Sequence, residues 1–187
     1  MEKPLRKDAA ERRSALLRAA ATVFAEEGID TPLDRIADRA GVGRATLYRN
    51  FANRTEIALA VLLDEVADLD VRFARPEGPE AFLDFLTALS ESLTRNAAFG
   101  GVIRAAPSSG ILAPLRAALV KAATPALQAS KAAGVVRADF EPGDIRVVSA
   151  MLGAAPHNAG PEERNAIARR TLTLVLDAVR ARPWEAT

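Results

Sequence analysis

The sequence contains no cysteine, a single histidine and few aromatic residues. Without cysteine the chain forms no disulfide, thiolate zinc site or cysteine nucleophile, and one histidine excludes a site built from several histidine ligands. We therefore expect no metal and no cofactor. Aromatic residues make up 5% of the 187 residues, whereas hydrophobic residues, many of them alanine, make up 49%. Because alanine favours helices and strand-forming residues are sparse, the composition predicts an all-α fold of one or two domains.

Long apolar runs and a strong net charge are also missing. No apolar stretch approaches the roughly 20 residues that span a bilayer, and the charged N-terminus does not resemble a signal peptide, so we expect a cytoplasmic protein. The 25 Lys and Arg residues nearly balance the 24 Asp and Glu residues. Between residues 35 and 54, however, Asp38 is the one acidic residue among five arginines. Most such clusters are solvated faces, so this excess alone is a modest sign of a nucleic-acid partner.

Apolar periodicity predicts about nine helices. The first is expected from Asp8 to Glu27, ended by Gly28. A short helix is then expected to start at Thr31-Pro32, with the Thr31 hydroxyl as its cap and Pro32 in its first turn, and to end before Gly41. A second short helix is expected over 44–50. Asn53 is expected to cap a longer helix that starts at Arg54. Further helical patterns occur near 79–97, 99–106, 111–133, 142–155 and 161–182. Pro114 and Pro125 predict a kink or a split in the third of these.

The two short helices and their glycine-containing turn predict a helix-turn-helix motif over 33–52, whose second helix enters the major groove of DNA. Small Ala37 lets the helices cross closely, Gly41 permits the turn, and Leu47 fills the space between them. The other side of the second helix offers hydrogen-bond donors and small side chains at Arg44, Ala45, Thr46, Tyr48 and Arg49.

These residues resemble the tetracycline-repressor (TetR) family of bacterial transcriptional regulators. The resemblance covers roughly residues 10–60 and rests on Ile36-Ala37, Ala40-Gly41-Val42, Thr46-Leu47-Tyr48 and Phe51. Three positions depart from the family pattern: Gly43 stands where serine is common, Asn50 where histidine is common, and Arg54 where lysine is usual. The missing serine removes a side-chain cap from the second short helix.

The resemblance implies roles for individual residues. Thr46, Tyr48, Asn50 and Arg54 are expected to contact the sugar-phosphate backbone, Arg54 at the N-terminus of its helix. Arg44, Ala45 and Arg49 are the expected base readers, since arginine pairs with guanine and alanine meets the thymine methyl group. A flexible arm on the DNA is expected from Lys3, Arg6 and Lys7.

The resemblance also divides the chain into a DNA-binding domain over 8–54 and a helical regulatory and dimerisation domain over 55–187. The last two helices are expected to form the homodimer, through one stripe at Val147, Val148, Met151 and Leu152 and another at Ile167, Thr171, Leu174, Val175, Ala178 and Val179. An apolar effector pocket is expected among Phe82, Phe85, Leu86, Leu89, Phe99, Ile103 and Leu115, although each of these residues also suits an ordinary helical core. No role is assigned to Trp184, and His157 suits a solvated loop better than a ligand site.

The hypothesis that follows is a homodimeric repressor that binds a palindromic operator in double-stranded DNA and is released by a small apolar effector. An enzyme is not expected, because the sequence has no phosphate-binding glycine loop, no Gly-x-Ser-x-Gly turn and no metal-ligand spacing. Gly43 and Asn50 leave open an alternative, a helical interaction or scaffold protein that has lost specific DNA binding.

Overall fold

A computed structural model describes residues 3–100, 110–154 and 160–181 of the chain, with side chains from residue 11 onward. This part contains eight α-helices and one 3-10 turn, and its one extended pairing is an isolated bridge between Val136 and Arg180. The expected all-α fold is confirmed. The helices are α1 (Lys3–Glu27), α2 (Asp34–Ala40), α3 (Arg44–Asn50), α4 (Arg54–Arg72), α5 (Ala81–Arg95), α6 (Ala113–Ala132), α7 (Ile145–Leu152) and α8 (Pro161–Val179), with the 3-10 turn at Pro142–Asp144. None of the described helices has the length and apolar composition needed to cross a membrane.

Several predicted helices differ from the structure at their ends or in their interior. Helix α2 begins at Asp34 rather than Pro32, and Thr31 is not its cap, because the Thr31 hydroxyl donates a hydrogen bond of 2.9 Å to the Glu27 carbonyl instead. Helix α1 begins at Lys3 rather than Asp8, so the prediction of a flexible arm at Lys3, Arg6 and Lys7 is wrong for the backbone. Pro4 lies in the first turn of α1, where its missing N–H has no helical partner to lose. Helix α6 is not split, because Pro114 is its second residue and Pro125 is accommodated within it. The helix predicted over 99–106 falls mainly outside the described residues.

The first of two compact units comprises the chain up to Asp64 together with 98–100 and 110–112. Its core is formed by apolar side chains of α1 to α4 and by Phe99, whose ring meets that of Phe24 edge to face at 5.5 Å. The sequence places the domain boundary after Arg54, whereas this unit includes the first half of α4. The reason is that Ile57, Ala58 and Val61 are buried in the same core as α1.

The second unit comprises Glu65–Ala97, 113–154 and 160–181. Helix α5 contributes most of its residues to the core, which also receives apolar side chains from α6, α7 and α8. The buried Ser130 hydroxyl of α6 accepts a hydrogen bond of 2.9 Å from the Phe82 N–H in the first turn of α5. A donor at a helix start is thereby paired within an otherwise apolar interior.

Two glycines of the α2–α3 turn are expected to respond differently to alanine. Gly41 has φ of 67°, which disfavours any side chain, whereas Gly43 has φ of −69°, and an added Cβ meets no atom within 4 Å at either position. Gly41→Ala should therefore lower the free energy of unfolding by about 1–2 kcal/mol. Gly43→Ala is the matched control and should change it by less than about 0.5 kcal/mol. Chemical denaturation measures both, and equal losses would contradict the backbone explanation.

Candidate nucleic-acid interface

The turn between α2 and α3 is closed by backbone hydrogen bonds and anchored by one leucine. Gly41 takes the left-handed conformation that ends α2, and the Val42 N–H donates to the Ala37 carbonyl at 3.0 Å. Leu47 is the buried residue of α3, with no exposed surface, and belongs to the core of the first unit. Because Leu47 is the one fully buried residue of α3, the exposed side of the helix is available to a partner.

The predicted contact residues of α3 lie on that available side. Arg44, Ala45, Tyr48, Arg49 and Asn50 are exposed, and the Tyr48 side chain keeps 52% of its surface accessible. Thr46, the remaining predicted contact residue of α3, is half-buried. The structure therefore brings six of the seven predicted DNA-binding residues onto one short helix.

Hydrogen bonds within α3 fix two of these side chains against the helix. The Arg49 Nη2 donates to the Thr46 hydroxyl at 3.1 Å, and the Asn50 Nδ2 donates to the Thr46 carbonyl at 2.7 Å. The Asn50 amino group has two N–H donors, and one of them is used by the Thr46 carbonyl. One N–H is therefore left for the phosphate contact expected from the sequence.

Two arginines of the basic cluster do not belong to this surface. Arg35 forms a two-bond pair with Glu27 at 3.1 and 3.2 Å, and Arg39 forms one with Glu26 at 2.6 and 3.3 Å. The hydrogen bonds that Arg35 donates to Glu27, reinforced by the charge of this carboxylate, raise the pKa of the Arg35 guanidinium above its ordinary value. These ion pairs join α2 to the end of α1, so their positive charge is largely cancelled locally.

A third ion pair connects the first residues of α2 and α3. Arg44 Nη1 lies 2.9 Å from Asp34 Oδ2, across the helix-turn-helix motif. The other carboxylate oxygen, Asp34 Oδ1, is buried and has no hydrogen-bond partner among the described residues. The structure thus gives a predicted base reader a carboxylate partner.

Arg54 adopts a different position from the one expected for a phosphate contact. Its guanidinium lies 5.9 Å from the centre of the Phe24 ring, and its Nη1 atom is buried without a hydrogen-bond partner in the described part of the chain. The side chain lies back over the core of the first unit. A phosphate contact would require it to turn outward.

The start of α4 carries the cap expected from the sequence. Asn53 Oδ1 accepts a hydrogen bond of 3.0 Å from the Glu56 N–H, and Glu56 Oε2 accepts one of 2.8 Å from the Ala52 N–H. Asn53 as the cap is confirmed. Glu56 also places negative charge at this helix end, where the sequence predicted a phosphate.

The residues predicted to line an effector pocket are distributed between two cores. Buried in the second unit are Phe82, Phe85, Leu86 and Leu89, with Leu115 packed partly buried against them. Phe99 belongs instead to the core of the first unit. Ile103, His157 and Trp184 lie outside the described residues, so the structure says nothing of their predicted places.

An open cavity of about 370 Å³ lies beside the end of α4 and the start of α5. Charged side chains, among them Arg72, Asp84 and Glu91, form much of its wall, together with Phe73. None of the predicted effector residues lines it. Over the described ranges, no group of three His, Asp or Glu residues is placed to hold a metal ion.

Asp34, Glu26 and Glu27 are the site residues that sequence reasoning missed. Asp34 precedes the arginine cluster by one position, and its pairing with Arg44 depends on how α2 and α3 cross. The sequence places the two glutamates only at the end of the first helix. Glu27 and Arg35 are eight residues apart, and Glu26 and Arg39 are thirteen apart. These separations match no helical repeat, so the sequence indicates the two ion pairs only through the opposite charges on either side of the turn.

Comparison with known proteins identifies the family that the sequence motif resembles. The profile of the bacterial regulatory proteins of the tetR family matches residues 16–61. The transcriptional activator FasR of Mycolicibacterium smegmatis is 39% identical over 89 residues, a stretch that spans 41% of this chain and 41% of FasR. The chain thus aligns with less than half the length of this curated relative.

Two solved structures extend the similarity to nearly the whole chain. A TetR transcriptional regulator from Streptomyces coelicolor is 32% identical, with a TM-score of 0.65 over 91% of this chain and 99% of that one. A TetR regulatory protein from Mycobacterium vanbaalenii is 30% identical, with a TM-score of 0.66 over 95% of this chain and all of that one. With the helix-turn-helix geometry described above, these matches show that the chain belongs to the TetR family of transcriptional regulators, a family of DNA-binding proteins rather than enzymes.

Proposed function

We propose that this protein regulates transcription by inserting α3 into the major groove of a palindromic operator as a homodimer. The observation that carries the proposal is the division of α3 into one buried anchor, Leu47, and an exposed face with cationic, hydroxyl and small side chains. A helix held in this way fits the groove without disturbing the core.

The side chains of α3 suggest a division of labour. Tyr48 and Thr46 carry hydroxyl groups suited to phosphate oxygens, which fix the register of the protein on DNA. Arg44 and Arg49 have donors for guanine, and Ala45 is small enough to approach a thymine methyl group. Arg49 has no carboxylate partner among the described residues, so its charge is fully available to DNA.

The dimer is proposed to form through α7 and α8. Each of the two predicted apolar stripes contains both buried and exposed residues. The buried ones, which pack within the chain itself, are Val148, Leu152, Val175 and Val179. The exposed ones include Val147, Met151 and Leu174. Val147 and Met151 are four residues apart and share one face of α7. Exposed apolar side chains on two successive helices suit a symmetric contact with a second copy.

The effector is proposed to act on the second unit. Phe82, Phe85 and Leu86 are fully buried against one another and their neighbours. An apolar compound that contacts them must therefore open the core around α5 rather than fill a preformed space. Such opening would couple ligand binding to the conformation of the dimer.

We propose that the protein represses transcription rather than activating it. A bound dimer that overlaps a promoter blocks polymerase, whereas the same protein bound upstream can activate, so the position of the operator decides. The relative FasR is named as an activator. The proposed role places the protein in the bacterial cytoplasm, where its DNA lies.

Selection from a pool of duplexes with a randomised centre, followed by binding titrations at several salt concentrations, tests the proposal. Wild type should select a two-fold symmetric sequence, and log K should fall linearly with log salt. Tyr48→Phe should weaken binding by about 2–10-fold on selected and unselected duplexes alike, through loss of a phosphate hydrogen bond.

Arg49→Ala should weaken binding by about tenfold and flatten the salt dependence, because a charge is lost from the groove-facing helix. Arg116→Ala removes an exposed arginine from α6 in the second unit and serves as the charge-matched control. No selection by the wild type would favour the scaffold alternative, and equal effects of the two arginine variants would contradict the placement of α3.

A further inference from the structure

The ion pair between Asp34 and Arg44 is the one charged contact that reaches the exposed face of α3 from another described helix. Both residues begin their helices, so the pair spans the whole motif from one helix start to the other. The side chains differ in exposure: 68% of the Arg44 side chain is accessible, against 30% for Asp34. The carboxylate is thus the less exposed partner of the pair.

Asp34 has little freedom to move. It is followed by Ile36 and Ala37, which are completely buried and fix the first turn of α2. Its Oδ1 atom is itself buried and unpaired among the described residues. Within the described residues, the Arg44 guanidinium is therefore the one charged partner of this carboxylate, which also lies in the first turn of α2, where negative charge is favourable.

Arg44 keeps most of its hydrogen-bonding capacity while paired. Guanidinium has five N–H donors in a rigid plane, and Asp34 engages the Nη1 group. The Arg44 side chain is 68% accessible, and Ala45 and Tyr48 on the same helix are also exposed. The ion pair is a single Nη1···Oδ2 contact, so it restrains the position of the guanidinium at one nitrogen, and the side chain then loses less conformational freedom on meeting a base.

We propose that Asp34 is a specificity-determining residue that positions the Arg44 guanidinium for base readout. The inference rests on the proposed insertion of α3 into the groove and goes beyond it by assigning a role to an acidic residue outside α3. Asp34 brings negative charge close to DNA phosphates, which weakens binding to every sequence. In exchange it restrains the position of the Arg44 guanidinium, so matched and mismatched bases differ more in affinity.

This role predicts two effects of opposite direction for Asp34→Ala. Binding to an unselected duplex should strengthen by about 2–5-fold, because a negative charge is removed. Preference at the base pair read by Arg44 should fall by about 3–10-fold. Loss of a merely structural contact would weaken binding to all duplexes and leave base preference unchanged.

Asp38→Ala is the matched control. Asp38 is an exposed aspartate of the same helix, so its removal changes the charge equally without touching Arg44. We expect it to share the gain in affinity and to leave base preference intact. Asp34→Asn keeps the shape and an acceptor oxygen, and should fall between wild type and Asp34→Ala. Thermal unfolding of each variant establishes that it is folded under the binding conditions.

The experiment selects sites from the same randomised duplex pool with wild type, Asp34→Ala, Asp38→Ala, Arg44→Ala and the Asp34→Ala/Arg44→Ala double variant. The position at which Arg44→Ala lowers base preference identifies the base pair concerned. Asp34→Ala should lower preference at that same position, and adding it to Arg44→Ala should cause no further loss.

Several results would overturn the inference. Unchanged preference with Asp34→Ala at the Arg44 position would leave the proposed function intact but remove the role of Asp34. Sharper preference would mean that the ion pair withholds Arg44 from DNA. An Arg44→Ala variant with wild-type preference at every position would also overturn it. Failure of the wild type to select any sequence would instead contradict the proposed function itself.

Discussion

Leu47→Ala is expected to destabilise the first unit by about 2–5 kcal/mol and to abolish DNA binding. Leu47 has no exposed surface and is the buried residue of α3, so truncation leaves a cavity that the seven-residue helix is too short to refill. A short helix has little stability of its own and depends on tertiary packing. Loss of the anchor should therefore release α3 even where the other helices remain folded.

Chemical denaturation of wild type and variant measures the stability loss, and a binding titration on a selected duplex measures the functional loss. Leu47→Met is the control, because it conserves volume and should lower the free energy of unfolding by less than about 1.5 kcal/mol while retaining DNA binding. A loss below about 1 kcal/mol for Leu47→Ala, or unaltered DNA affinity, would show that α3 is held in place by other contacts.

Val147→Asp is expected to convert the dimer to monomers and thereby to remove tight operator binding. Val147 is 61% exposed on α7, in the face proposed to meet a second copy. A two-fold interface contains every residue twice, so one substitution buries two unpaired charges, each unfavourable by about 3–5 kcal/mol. The dimer dissociation constant should rise by at least about a hundredfold.

Val71→Asp provides an unusually close control. Val71 is a valine on α4 that is 80% exposed and lies outside the proposed interface. It tests whether a new aspartate on an exposed valine site is harmless in itself. Sedimentation at micromolar concentration should show a dimer for wild type and Val71→Asp and a monomer for Val147→Asp. A dimeric Val147→Asp would exclude α7 as the contact.

The sequence was most informative where structure depends on local rules. Helix α3, the start of α4 and its Asn53 cap follow from a turn glycine, apolar spacing and a side chain able to accept an N–H hydrogen bond. The identity of the buried residue in α3 follows in the same way. Each of these features depends on residues within a few positions of one another, so a single sequence suffices.

The arrangement of charge was not predictable in this way. Five arginines between residues 35 and 54 suggested one basic surface, but Arg35 and Arg39 pair with α1 and Arg44 pairs with Asp34. The way in which the helices cross decides which charges pair. Neither the number of charged residues nor their periodicity predicts that crossing. Arg54, placed over Phe24, likewise depends on a tertiary contact.

The predicted pocket shows the same limit for apolar residues. Phe82 and Phe85 have the spacing and character of both a ligand wall and a packed interior, and in the structure they are fully buried beside Phe140 and Phe73. Phe99 proved to pack with Phe24 in the other unit. Hydrophobicity predicts that a residue leaves water but not which neighbours enclose it.

The presence of one fully buried side chain in α3, that of Leu47, also bears on how such a regulator diverges after gene duplication. Where a single side chain is fully buried, the five exposed positions of the helix accumulate substitutions with little penalty to folding. A duplicated copy is then free to acquire a new target sequence through changes at Ala45 or Arg49 without first acquiring compensating mutations elsewhere. The constraint on evolving a new regulatory circuit shifts from the stability of the protein to the supply of matching sites in the genome.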